Sequence, residues 1–181
     1  MNSKNKGSSF ERLISKKISL WYSNGEKDDL FYRTSNSGGR FTVRINKGKE
    51  TSGQHGDVCS YSSESELFSK NILIECKHYK DADLWSLFTE SKGDNIFNWW
   101  KEAVKESVDS KTEPMLVVRQ NNRPILLLTS TRLTKLISLS SNLTPYMQIL
   151  SMEMLPSVYK FEDFLSIDSN MFKLQMMKEF D

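Results

Sequence analysis

Asp57, Glu75 and Lys77 are the residues of this chain whose types and spacing best suit chemistry. Asp57 falls in a stretch from Gly56 to Tyr61 that reads as a strand. Glu75 and Lys77 fall in Asn71 to Tyr79, the best strand in the sequence, where Ile72, Leu73 and Ile74 lead into the charged pair. Strand side chains alternate, so Glu75 and Lys77 share one face, while Ile72, Ile74 and Cys76 turn to the other. If the two strands pair as a hairpin, Asp57 reaches the same patch. Two carboxylates with a nearby carbonyl form a hard oxygen site suited to Mg²⁺ or Mn²⁺. An ion there lowers the pKa of a bound water and stabilises charge on a phosphate. Lys77 would orient or deprotonate that water, or neutralise the phosphate. A plainer reading has Asp57 marking a turn and Glu75 paired with Lys77 on a solvated face. Against it, the pair ends an intensely apolar strand, where charge is costly without a partner or a task.

These residues need a scaffold, and the hydrophobic pattern supplies one. A helix is expected from about Ser8 to Tyr22, with Phe10, Leu13, Ile14, Ile18 and Trp21 on one face. Ser8 suits its N-cap with Glu11 three residues on, a capping box, and Asn24-Gly25 ends it. Leu30 to Thr34 reads as a strand, followed by a glycine-containing loop and a basic, polar stretch from 40 to 53, expected as a loop or small hairpin. Ser62 to Lys70 reads as a polar connection. A helix from about Asn95 to Ser110 presents Ile96, Trp99 or Trp100, Ala103 and Val104, with one tryptophan packed and the other partly exposed. Met115 to Arg119 and Arg123 to Thr129 read as strands around an Asn121-Asn122 turn. Leu133 to Leu139 reads as a short helix and Met147 to Met152 as a strand. Tyr159 to Leu165 and Met171 to Phe180 read as helical. The order predicts an α/β fold, a mixed central sheet flanked by helices.

Composition narrows the class. The chain has 181 residues, 38% hydrophobic and 27% charged, enough apolar material for a core and suited to one domain. No apolar run approaches the roughly 20 residues that span a bilayer. The polar, basic start offers no secretion signal, and two cysteines make no disulfide framework, so an intracellular, reducing compartment is expected. Residues 1–50 carry 11 Lys and Arg against 5 Asp and Glu, a basic third able to meet phosphates or simply to be solvated.

Gly56-Asp57 followed by Ile74-Glu75-Cys76-Lys77 resembles the D…E-x-K core of the PD-(D/E)XK nuclease superfamily, with glycine where proline is usual. Three further pieces resemble archaeal-type Holliday junction resolvases: Lys6-Gly7-Ser8-Ser9-Phe10-Glu11-Arg12, Arg33 through Gly39, and the I-E-C-K strand itself. The resemblance covers roughly residues 4–130, leaving about 131–181 as a C-terminal extension of a single nuclease domain. It implies a restriction-endonuclease-like fold and a Mg²⁺- or Mn²⁺-dependent DNA endonuclease, structure-selective for branched DNA, acting in recombination or repair. Asp57 and Glu75 would bind the metal with the Cys76 carbonyl, and Glu11 would join through metal-bound water. Lys77 would act on the attacking water and Ser37 would approach the scissile phosphate. Lys6, Arg33, Arg40 and Arg44 would contact DNA.

The basic insertion from Arg40 to Gln54 and the C-terminal extension depart from the resolvase pattern. They leave open linear duplex, flaps or a specific sequence as substrate, in a restriction-like, repair or mobile-element nuclease, and an inactive DNA-binding module as a further alternative. Symmetric cutting of a junction would suit a C2 homodimer. His55 and His78 flank the site without metal-ligand spacing; His78 should point away from Lys77. Cys59 should share the face of Asp57 and Cys76 should not, which argues against a disulfide between them. The methionines of the C-terminal stretch suit core filling or an oligomer surface equally.

Overall fold

A strand that is apolar on both faces must be covered on both faces, and that demand organises the chain. The computed structural model describes residues 3–34, 55–60, 62–84, 86–89, 95–149 and 156–180. In chain order the elements are α1 (Ser3–Tyr22), β1 (Phe31–Arg33), β2 (Val58–Ser60), α2 (Ser63–Asn71), β3 (Ile72–Tyr79), α3 (Ser86–Thr89) and α4 (Ile96–Ser110), then β4 (Glu113–Gln120), β5 (Leu126–Thr129), α5 (Thr131–Ser140), β6 (Met147–Gln148), β7 (Ser157–Lys160), α6 (Phe161–Phe164) and α7 (Ser169–Phe180).

Among the described residues seven strands form one sheet in the order β1-β2-β3-β4-β5-β7-β6. The pair β3–β4 is parallel, in register from Ile72 opposite Glu113 to Tyr79 opposite Gln120. A parallel pair needs a long crossover, and α4 lies in it. The other neighbours are antiparallel. This is the mixed sheet flanked by helices that the pattern predicts.

Two apolar layers sandwich β4. Met115 and Val117 join Ile72, Ile74 and Cys76 in a layer closed by Phe10, Ile14 and Ile18 of α1. Leu116 and Val118 face the other way, against Trp99, Trp100 and Val104 of α4. Glu75 and Lys77, alternate with Ile74 and Cys76, therefore lie on the α4 side. The helix ends are chemically explicit. The Asn95 side chain caps α4 by accepting from the Asn98 N–H at 3.1 Å, and Ser130 caps α5 through the Leu133 N–H at 3.3 Å. Asn24 and Gly25 have φ of 55° and 90°, the left-handed stop expected after α1.

Several expectations are corrected. Helix α1 begins at Ser3, so Ser8 lies inside it and forms no N-cap. Residues 62–70 are not a plain connection, because Ser63–Asn71 is helical and buries Phe68 completely. Strand β5 starts only at Leu126. The stretch from Tyr159 begins as strand β7, paired with β5 through Leu127 opposite Tyr159, and turns helical at Phe161. Both tryptophans of α4 are buried, Trp99 by stacking on Tyr79 at 4.4 Å. One expectation holds: Cys59 and Cys76 are both free, with no disulfide between them. The expected loop at 40–53 lies outside the described residues, as do Met152 and Met154.

The C-terminal part covers the core. Phe172 is buried among Trp21, Phe68 and Phe164, with ring centroids 5.3, 6.3 and 5.7 Å away. The Trp21 indole N–H donates to the Ile167 carbonyl at 2.7 Å. On the outer side of α7, Met171, Leu174 and Met177 are exposed. Truncating Phe172 to alanine should therefore cost about 3–5 kcal/mol of stability, and Leu174→Ala under about 0.5 kcal/mol. Urea denaturation of both variants checks the contrast.

Candidate active site

The local backbone at Gly56 decides where Asp57 goes. Gly56 has φ of 71°, a left-handed conformation open to glycine and closed to proline, whose ring fixes φ near −65°. It also passes so close to β3 that an added Cβ would collide with the Ile74 carbonyl oxygen. Asp57 thus stands one residue before β2 begins, not within it. Its N–H donates to the Ile74 carbonyl at 2.8 Å, and its own carbonyl accepts the Thr34 N–H at 2.9 Å. Its side chain turns along β3, where Oδ2 accepts the Cys76 N–H at 2.9 Å. Asp57 is 3% exposed, so this carboxylate is fixed inside the protein rather than marking a solvated turn. The two strands meet as an antiparallel pair, with Val58 opposite Ile74, but they are joined through α2 and not through a tight hairpin.

On β3 the Lys77 ammonium lies 3.2 Å from the Glu75 carboxylate. This is the pair of the plainer reading, but it is not solvated: the Glu75 side chain is 13% exposed. Burial, followed by the negative charge of Asp57, pushes the Glu75 carboxyl up to about 8, and Lys77 only partly offsets this. Burial alone would lower Lys77, but Glu75, Glu102 and Asp57 outweigh it and raise its pKa. The two effects agree on one point. Lys77 stays charged, and at Glu75 its attraction is outweighed by burial and by Asp57.

Glu11 approaches from α1. It is buried and ion-paired with the Arg33 guanidinium, which donates Nε–H to Oε2. The capping-box account of Glu11 therefore falls, and Arg33, expected on DNA, is tied to Glu11. Cys76 marks where the acids converge. Its thiol is pushed well above the usual range by burial and then by the charges of Asp57, Glu75 and Glu11. Lys6 sits half-buried early in α1. Ser37, Arg40 and Arg44 lie outside the described residues. His78 points away from Lys77 as expected, packing on Phe10 at 5.4 Å and bonding Asn121 at 3.1 Å.

Two residues escaped the sequence reading. Glu102 and Glu106, one turn apart on α4, face the same region. Glu102 lies 3.7 Å from the Lys77 ammonium, and Glu106 Oε1 accepts the Gly56 N–H at 3.2 Å. The signal was their i, i+4 spacing on the helix that crosses over from β3. No group of three His, Cys, Asp or Glu side chains among the described residues is arranged to hold a metal ion. The oxygen donors at hand for a cation are thus the Asp57 and Glu75 carboxylates plus backbone carbonyl. They fit a hard divalent ion in chemistry and in charge, since burial and mutual repulsion raise Glu75 and a cation would relieve both.

A family model described as "Phage putative PDDEXK endonuclease" matches residues 2–173. No curated protein and no solved structure matches the chain.

Two tests follow from this geometry. Gly56→Ala should destabilise the protein by more than about 1 kcal/mol, from the strained φ and the clash with Ile74; thermal unfolding measures it. The second is a pH effect. The Glu75 carboxyl lies at about 8 when folded, against 4.5 unperturbed, so the folded state binds its proton more tightly. The stability this contributes is complete below about pH 4.5 and lost as pH rises through about 8. In EDTA, the melting temperature of the wild type relative to Glu75→Gln should fall from about pH 5 to about pH 9. A flat difference would show that Glu75 titrates normally.

Proposed function

The chain belongs to this phage PDDEXK endonuclease family of the PD-(D/E)XK superfamily, and from that premise we propose that it is a metal-dependent DNA endonuclease working through Asp57, Glu75 and Lys77. The observation that carries the metal dependence is the burial of Asp57 (3% exposed) and of the Glu75 side chain (13% exposed) close enough that Asp57 raises the Glu75 carboxyl, a cost a cation would relieve. Asp57, Glu75 and the Cys76 carbonyl would hold Mg²⁺ or Mn²⁺, with Glu11 joining through water. When bound, the metal supplies an acidified water and charge stabilisation at the phosphate. Lys77, held protonated beside Glu75, would orient that water or neutralise the phosphate. The Asp57–Cys76 bond keeps one carboxylate oxygen pointed along β3 before any ligand arrives, so little reorganisation remains. Arg33, with its Nε–H on Glu11, would orient the Glu11 carboxylate and offer the rest of its guanidinium to the DNA backbone. Ser37 would approach the scissile phosphate, and Lys6, Arg40 and Arg44 would contact DNA, serving register more than sequence.

For the substrate, the proposal is branched DNA cut by a homodimer, inside the cell where DNA is found, with 1–181 acting as one nuclease domain. It rests on the resolvase-like segments around Lys6–Arg12, Arg33–Gly39 and Ile74–Lys77. The phage origin named by the family favours a second reading, a mobile-element nuclease acting on other DNA. No helix is long and apolar enough among the described residues to cross a membrane.

The experiment offers labelled four-way junction and matched linear duplex to the protein in Mg²⁺, Mn²⁺ and EDTA. Cutting should require metal and disappear with Glu75→Ala. Asp57→Asn and Lys77→Ala should lose roughly 10²-fold or more while retaining DNA binding. Symmetric nicking of the junction alone supports the branched substrate, and equal cutting of both supports the second reading. Normal cutting by Asp57→Asn and Lys77→Ala would mean that the chemistry lies elsewhere.

A further inference from the structure

The backbone that carries Asp57 is held by side chains from two other elements. The Gly56 carbonyl accepts the Thr34 hydroxyl at 2.9 Å, just after β1. The Gly56 N–H is buried and donates to Glu106 Oε1 at 3.2 Å, from the middle of α4. A buried N–H needs an acceptor, and at this position the left-handed turn takes Gly56 out of ordinary strand geometry. A proline here would present no such donor. Glu106 thus links α4, the crossover helix, to the residue immediately before Asp57.

The same helix touches the other end of the site, since Glu102 lies one turn earlier and near Lys77. Helix α4 is in turn anchored to the sheet by Trp99, Trp100 and Val104. A rigid helix bound to the sheet and to the Gly56 N–H fixes the Asp57 backbone relative to β3. A displacement of about an ångström is enough to cost a large factor in rate when reacting groups must be aligned.

We propose that Glu106 is a positioning residue: by accepting the Gly56 N–H it sets the Asp57 carboxylate in register with Glu75 and Lys77. This rests on the assignment of Asp57 to the active site. The role is that of an acceptor, so glutamine, which keeps the side-chain oxygen, substitutes for it and alanine does not.

The test uses Glu106→Ala and Glu106→Gln in the full chain. Amide hydrogen exchange, read by NMR in EDTA, reports the positioning without any reaction. In Glu106→Ala the Gly56 and Asp57 amides should exchange at least tenfold faster, over and above any change at the β4 amides of Leu116 and Val117. In Glu106→Gln they should stay within about threefold of the wild type. Cutting of whichever DNA the wild type accepts should show kcat at least tenfold lower in Glu106→Ala, with KM for DNA unchanged and rescue by glutamine. Unchanged exchange at Gly56 and Asp57 in Glu106→Ala overturns the proposal. So does an alanine-like glutamine variant, which would make the charge and not the acceptor matter. If the wild type cuts no DNA with either metal, the nuclease assignment fails, and the exchange data still decide whether Glu106 holds Gly56 and Asp57.

Discussion

Everything at this site depends on the contact between the Gly56-Asp57 backbone and β3. The Asp57 N–H reaches the Ile74 carbonyl and the Asp57 carboxylate reaches the Cys76 N–H, so one residue spans two consecutive donor and acceptor positions of the strand. That approach is possible because residue 56 has no side chain and takes φ of 71°. A Cβ would meet the strand before the aspartate could. The charge pattern follows from it. Asp57 is buried next to Glu75, each carboxylate makes the other more expensive, and Lys77 is drawn in. Burying two carboxyl groups against each other is an electrostatic cost of the kind expected at functional sites rather than in packing cores.

The sheet satisfies that demand without giving up its core, because the strand period separates the two tasks. Ile72, Ile74 and Cys76 bury one face of β3 against α1, and Glu75 and Lys77 occupy the other beside α4. One sequence thus carries the most apolar and the most charged functions of the protein on alternate residues. The arrangement is resistant to register error. A slip by one residue would send both charges into the layer of Phe10 and Ile14.

How much of this was legible depended on whether the signal was local. Strand β3 was legible because alternation and branched residues are local, and α4 because its apolar face repeats at helical spacing. Helix α2 was not, since Ser63-Glu64-Ser65-Glu66 is polar and only Leu67 and Phe68 mark a buried side; the aromatic cluster of Trp21 and Phe31 decides it. The first turn of α1 has no apolar period to read. Ser157 to Phe164 mixes strand and helix formers, and pairing with β5 settled the boundary at Lys160. At the site, Asp57, Glu75 and Lys77 were legible from their motif. Glu102 and Glu106 were not, because acidic residues on an amphipathic helix are normally its solvent face. Only the parallel β3–β4 crossover turns that face toward the site.

The topology also sets the C-terminal part apart from the site. Strands β5, β7 and β6 extend the sheet on the side of β4 away from Asp57, and α5 and α7 seal the core there. The described residues beyond about 130 are therefore bound into the same sheet and helical layer, and changes among them act first on stability. The chain between β1 and β2 is attached differently. It departs at Thr34, whose N–H and hydroxyl hold Asp57 and Gly56, and it returns at His55, next to Gly56. Both attachment points lie at the carboxylate pair, and the sequence between them includes Arg40, Arg44, Lys47 and Lys49.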